Sequence, residues 1–325
     1  MSSKTLLLIS NQPEDQAFAS EVAITAGLSF KQTADPAQGV QVIAQEEPAI
    51  IFADTSSEEQ YEKLESNIQS VLGLFSDKVN SNSIHFISSQ ELDKVPYLMK
   101  SPLFGHFIQR NYKDPKAAGA HYGQIVKATL NERAFGLSQL LKQGTKIQVV
   151  KLTVSNQKHD AVEAVKAFLI AAKFQGRMAA VIANAVDEIL LNAIFDAPVD
   201  EGGKSIHSRT ARSTVLQLVD QNAVEMHLGF DGNYVAISAI DHHGSLDRTK
   251  LVTHISKIYT QEEYQLRTTV ANAGIGLATV FQTGGSFFFS SESRVRTEVT
   301  VFFKRTPNFR EFKDQFKFIS TQFYF

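Results

Sequence analysis

Three short segments in the second half of the 325-residue sequence carry side chains suited to binding chemistry. The first is Asp187-Glu188-Ile189-Leu190-Leu191-Asn192-Ala193. Glu188 and Asn192 are four apart, so on a helix they share one face. A carboxylate and an amide on a buried helix each need a partner. The amide oxygen is a fair magnesium ligand, and the carboxylate can orient or deprotonate a nucleophile; capping of nearby backbone is the structural alternative. The second segment is Ile240-Asp241-His242-His243-Gly244-Ser245-Leu246. Asp241 ends an alternating strand, where its carboxylate can accept a hydrogen bond from an exocyclic amine, and Gly244 lets backbone approach a flat ring. The third is Asn272-Ala273-Gly274-Ile275-Gly276-Leu277-Ala278. A Gly-x-Gly that opens a helix offers free N–H groups and a positive dipole end, both suited to phosphate.

The elements that must position these residues fall into two patterns. Over the first 130 residues, short apolar runs at 5–10, 28–33, 49–53, 83–87 and 106–109 alternate with helical stretches at 14–26, 36–45, 57–75, 90–99 and 115–130. Five such units predict a doubly wound parallel sheet with helices on both faces. A connector, helical in part, follows over 131–144. The second part opens with a strand at 146–153 and helices at 157–173 and 177–197. Strands are expected at 213–219, 223–230 and 234–240, with an Asp231-Gly232 hairpin between the last two. A short helix opens at Gly274, and 286–290 and 297–303 read as paired strands. This order suggests an α/β sandwich with a mixed sheet.

Composition narrows the function classes. Basic and acidic totals of 32 and 34 give a net charge of -2, which argues against a general nucleic-acid or membrane-surface binder. The absence of cysteine removes disulfides, thiolate metal sites and thiol nucleophiles, and fits a cytoplasmic location. The apolar run after Lys4 is too short for a signal-peptide core. The apolar stretch 178–195 contains Asn184, Asp187, Glu188 and Asn192, so it reads as a buried helix and no membrane span is expected.

The order of the three segments, followed by a closing strand with Arg296-Thr297-Glu298-Val299, resembles the Bergerat-type (GHKL) ATP-binding domain of gyrase, the large heat-shock chaperones, histidine kinases and MutL. The resemblance spans residues 144–305. It implies ATP and Mg2+ as ligands. Asn192 matches the magnesium-binding asparagine, and Glu188 matches the acid that acts as a base in the hydrolysing and anti-sigma-factor kinase branches. Asp241 matches the aspartate that reads the adenine amino group. Gly274 and Gly276, followed by Leu277, match the end of a mobile lid over 245–273, and Thr297 matches a threonine near the adenine. Lys250, Lys257 and Arg267 are the lid's candidate phosphate contacts. Two positions depart from the family: Gly244 stands one place later than usual with Leu246 in place of a second glycine, and Asp196 stands where histidine or tyrosine is frequent. His121 lacks the sequence surroundings of a phosphoacceptor histidine, and His242-His243 has no third metal ligand placed nearby.

Residues 2–130 resemble the receiver domain of response regulators. Asp54, ending the third strand, matches the phosphoacceptor, and Ser88 matches the switch hydroxyl. Asn11-Gln12 stands where an acidic pair would hold magnesium, and Gln109-Arg110 where a lysine is expected, so the resemblance implies a degenerate docking module. The expected organisation is a receiver-like core over 1–112, its fifth helix and the connector over 113–145, the ATP-binding domain over 146–306, and an amphipathic Phe-rich tail over 307–325. In that tail Phe309, Phe312, Phe316 and Ile319 recur at helical spacing, suited to docking on the chain itself, on a second copy or on another partner. The whole implies a signalling protein whose ATP-Mg state controls binding of a protein partner. The alternatives are a serine/threonine kinase acting on a separate regulator, and a nucleotide-free scaffold.

Overall fold

Runs of Leu, Ile and Phe bounded by turn residues form the first five strands: β1 (Thr5–Ile9), β2 (Ser29–Thr33), β3 (Ile50–Asp54), β4 (Ile84–Ser88) and β5 (His106–Gln109). The structure is a computed structural model that describes residues 4–73, 79–131, 134–207, 209–259, 280–281 and 283–324. Within it the chain divides into two units: Met1–Ala134 with Phe316–Thr321, and Phe135–Gln315 with Gln322–Phe325. The first boundary falls inside the predicted connector. The second separates the tail's central residues from the unit that precedes them.

In the first unit every pairing among β1 to β5 is parallel, in the order β2-β1-β3-β4-β5. Leu6, Leu7, Leu8, Ile51, Phe52 and Ala53 are all buried, as strands covered on both faces require. The helices are α1 (Pro13–Ala26), α2 (Pro36–Glu46), α3 (Glu58–Leu72), α4 (Pro96–Lys100) and α5 (Pro115–Thr129). Local sequence starts them. Proline occupies the first turn of α2 and α5, behind Asp35 and Asp114, whose carboxylates accept N–H bonds of 3.0 Å from Ala37 and Ala117. Ser57 and Gln60 form a capping box on α3. Helix α5 packs on α1 through Gly119 and Gly123, where a β-carbon would lie 2.6 Å from the Phe18 carbonyl and 2.5 Å from the Thr25 β-carbon. His85 and His106 stack at 3.9 Å in the core, and burial holds both imidazoles neutral, His106 down to about 3.

In the second unit, β6 (Ile147–Leu152), β7 (Val224–Phe230), β8 (Tyr234–Asp241), β9 (Ser286–Glu292) and β10 (Arg296–Lys304) pair antiparallel throughout. Hairpins set that direction for two of the pairs: Gly232 takes φ +98° between β7 and β8, and a tight turn joins β9 to β10. The mixed character foreseen for this sheet therefore belongs to the α/β chain as a whole, whose parallel pairs lie in the first unit. The helical connector is short, α6 (Leu137–Leu140). It is fixed by the buried Glu298, which accepts 2.9 and 2.8 Å bonds from the Gly136 N–H and Arg296. Helices α7 (Gln157–Ala171) and α8 (Gly176–Leu191) pack together, and α8 rests on β8 and β10. A π-turn, Asn192–Asp196, continues α8. Helix and π-turn together are, among the described residues, long and apolar enough to cross a membrane, yet 61% of that window is buried inside the chain.

Three predicted elements differ. Residues 90–99 form a 3-10 turn, Leu92–Lys94, and then α4, because Pro96 interrupts the helical ladder. Residues 213–219 make a single bridge, Val154↔Gln217, and the β-branched Val215 and Val219 that suggested a strand point to solvent, 59% and 52% exposed. In the tail, Asn308 caps a short α10 (Phe309–Lys313), after which the chain becomes β11 (Phe318–Tyr324). The run Phe-Ile-Ser-Thr-Gln-Phe-Tyr has strand composition, and the helical spacing of Phe316 and Ile319 was coincidental. Within the first unit Phe318 pairs with Ile108 and its ring lies 4.9 Å from that of Tyr122; His121 is buried 5.7 Å from the same ring.

Phe318→Ala should therefore lower stability by about 3–5 kcal/mol in urea unfolding, whereas Ile24→Ala, at a side chain 69% exposed, should change it by less than about 0.5 kcal/mol.

Candidate functional site

The order β2-β1-β3-β4-β5 places a topological switch between β1 and β3, where the carboxyl ends of the strands open a crevice. Here that crevice holds a closed charge network. Asp15, in the first turn of α1, is fully buried and accepts a 2.6 Å bond from the Ser10 hydroxyl. Arg110, one residue beyond β5, grips Asp15 with Nε and Nη2 at 2.8 and 2.6 Å. The same Nη2 lies 2.9 Å from Oδ1 of Asp54, the last residue of β3. Ser56 donates to Asp54 at 2.6 Å, and the Tyr112 hydroxyl bonds to Asp15. Burial works against the Arg110 charge, but Asp15 and Asp54 together hold its pKa above the ordinary value. Burial, and then Asp15, push the Tyr112 phenol up, so it stays a donor. Ser88 is buried and its hydroxyl accepts from the Gln90 N–H at 3.0 Å. Sequence reasoning marked Arg110 as the wrong residue for its position; its pairing with both carboxylates was not foreseen.

The second unit contains an open cavity of about 360 Å³. Its walls include Ile189, Ala239, Leu246, Phe289 and Val299, and its polar groups include Asn192, Asp241 and Thr297. Asp241 and Thr297 face one another across the β8–β10 pairing. Asp241 is 5% exposed. Its Oδ1 accepts from the N–H groups of His243 at 2.9 Å and Gly244 at 3.3 Å. Burial raises its pKa to about 6, while these bonds and Thr297 act in the opposite direction. Gly244 itself sits outside the cavity wall. At φ +56° its backbone meets the β9–β10 turn, where a β-carbon would collide with the Glu292 carbonyl and lie 2.6 Å from Val295 N. This close approach explains the glycine's displaced position, and Ser245 and Leu246 then return to line the cavity.

The structure thus gathers Asn192, Asp241 and Thr297, but not Glu188, which is absent from the cavity wall although one turn before Asn192. Burial, and then Asp187, raise the Glu188 pKa, with Arg212 and Lys158 opposing; Lys158 forms an ion pair with Asp187. Asn192 opens the π-turn, whose ring closes with a 2.9 Å bond from the Ala197 N–H to its carbonyl. Ser205 and Arg212 brace that turn: the Ser205 hydroxyl donates to the Phe195 carbonyl at 3.1 Å, and Arg212 pairs with Asp196 at 3.1 Å. Both came from a loop with no periodic signal. Lys250, near the start of α9 (Arg248–Tyr259), lines the cavity and donates to the Ser245 carbonyl at 3.0 Å. Gly274, Gly276, Leu277 and Arg267, and the side chain of Lys257, lie outside the described residues. No protein-family model and no curated protein sequence matches this chain.

Arg110→Ala would leave Asp15 and Asp54 without their cation, and should cost about 3–5 kcal/mol in denaturant unfolding. Asp241 generates a pH dependence. Its folded pKa of about 6 exceeds the ordinary 3.8, so its contribution is present below pH 3.8 and is lost as pH rises through about 6. Asp241→Asn should remove that loss, gaining about 3 kcal/mol relative to wild type between pH 4 and 7 in unfolding titrations.

Proposed function

We propose that the second unit binds ATP with Mg2+, and that the chain is a cytoplasmic signalling protein whose nucleotide state controls binding of a protein partner. The observation that carries this reading is Asp241. A buried carboxylate, held on one side by backbone N–H groups and beside a threonine hydroxyl, ends an apolar cavity wide enough for a ring system. A carboxylate accepts from an exocyclic amine, and apolar walls suit the two faces of a purine. Asn192, in the same wall, offers an amide oxygen to a magnesium ion whose remaining ligands would be phosphate and water. When bound, that ion neutralises charge on the phosphates. The helix and strand order of this unit supports a Bergerat-type domain.

The first unit reads as a receiver-like docking module without phosphoryl chemistry. Its parallel strand order supports the first half of that reading, and Arg110 supports the second. A guanidinium bonded to both Asp15 and Asp54 already supplies the positive charge that a divalent ion would bring.

A protein serine/threonine kinase acting on a separate regulator is the second reading. Glu188 favours it: burial raises its pKa toward that of a general base, one turn from Asn192.

Calorimetric titration tests the first reading. Wild type should bind ATP in the presence of Mg2+, and Asp241→Ala should weaken adenine nucleotides by about tenfold or more, as loss of a buried hydrogen-bonding group does. Absence of binding by wild type, or equal binding by the variant, would overturn it. Label transfer from ATP to a partner protein that is abolished in Glu188→Gln would move the assignment to the kinase.

A further inference from the structure

The cavity poses a charge problem that Asp241 does not address. Its wall carries two carboxylates, Asp196 and Asp241, against one ammonium, Lys250. Asn192 and Asp196 are the two ends of one π-turn, so phosphate brought to Asn192 would meet Asp196. At such range like charges repel strongly where water is partly excluded.

Arg212 answers this from outside the helix. Its Nη2 lies 3.3 and 3.1 Å from the two carboxylate oxygens of Asp196, and its Nη1 donates to the Leu191 carbonyl at 3.1 Å. The guanidinium carbon stands 5.1 Å from the centroid of the Phe195 ring. One side chain therefore spans the π-turn, from the residue before Asn192 to Asp196. A π-turn widens the helical ladder and leaves carbonyls without their usual donors, and Arg212 supplies one.

We propose that Arg212 makes this cavity an anion site: it cancels the Asp196 charge and fixes the π-turn that presents Asn192 toward the outer phosphates of a nucleoside di- or triphosphate. This rests on the nucleotide reading above and narrows it, because it makes the cavity selective for phosphorylated ligands over the bare nucleoside. Arg212, which is not itself part of the cavity wall, is a positioning residue for Asn192 and Asp196.

The test is calorimetry on the full chain with ATP-Mg, adenosine and inorganic tripolyphosphate as probes. Arg212→Ala should weaken ATP by about tenfold or more while adenosine changes by less than about twofold. Arg212→Lys, which keeps the charge and loses the fork, should fall between. Adding Asp196→Asn to Arg212→Ala should recover most of the ATP affinity, since the uncompensated carboxylate is then gone. Equal weakening of ATP and adenosine by both Arg212 variants, or no weakening of either, would overturn the proposal. If wild type binds neither adenosine nor ATP, the nucleotide reading falls. Tripolyphosphate binding that weakens in Arg212→Ala would then still uphold the anion site, and its absence would overturn that too.

Discussion

The second unit is organised around one constraint, the burial of the Asp241 carboxylate. A charge removed from water must be met by hydrogen bonds or be neutralised. Here the chain meets it with two backbone N–H groups and the Thr297 hydroxyl. The backbone turns immediately after β8 so that the N–H groups of His243 and Gly244 point back at Oδ1. That turn drives Gly244 against the β9–β10 turn, which only a residue without a β-carbon tolerates. It also brings Ser245 and Leu246 round to form the cavity wall. Loop path, glycine position and cavity shape all follow from satisfying one oxygen pair. Burial still outweighs these bonds and holds the Asp241 pKa up at about 6.

The first unit faces the same problem and solves it the other way. Asp15 and Asp54 stand at the carboxyl ends of a parallel sheet, where α/β proteins commonly bind ligands. Arg110 binds both with a forked guanidinium, Ser10 and Tyr112 add bonds to Asp15, and Ser56 adds one to Asp54. Such mutual bonding holds the two carboxylates in place. The two units therefore differ less in their carboxylates than in what has been placed opposite them.

Much of this was legible in the sequence. The β1–β5 strands and most helices of the first part follow from apolar runs punctuated by Asp-Pro and Ser-x-x-Gln, because local chemistry alone decides those boundaries. Asn192 and Asp241 were chosen on residue type and spacing and Thr297 from the family resemblance, and the three do line one cavity. What was not legible depends on contacts distant in sequence. Arg212 and Ser205 lie in an aperiodic loop, and their significance appears only when the π-turn is folded beside them. Arg110 and Asp15 are 95 positions apart. The tail misled for a different reason: the helical period of Phe309 and Phe312 continues by coincidence through Phe316 and Ile319, yet the helix ends at Lys313 and Ile319 falls in a strand.

That strand has a consequence for the order in which the protein can be made. Residues 316–321 belong to the first unit, but they follow the main segment of the second, residues 135–315, in the chain. On the ribosome, β1 to α5 emerge before residues 135–315 and must wait for residues 316–321 until that segment has been synthesised. During that interval β5 has an open edge, its backbone groups unpaired and its apolar neighbours uncovered, the condition in which nascent sheets associate wrongly. The first unit can therefore be completed only after the intervening segment of the second, residues 135–315, has been made.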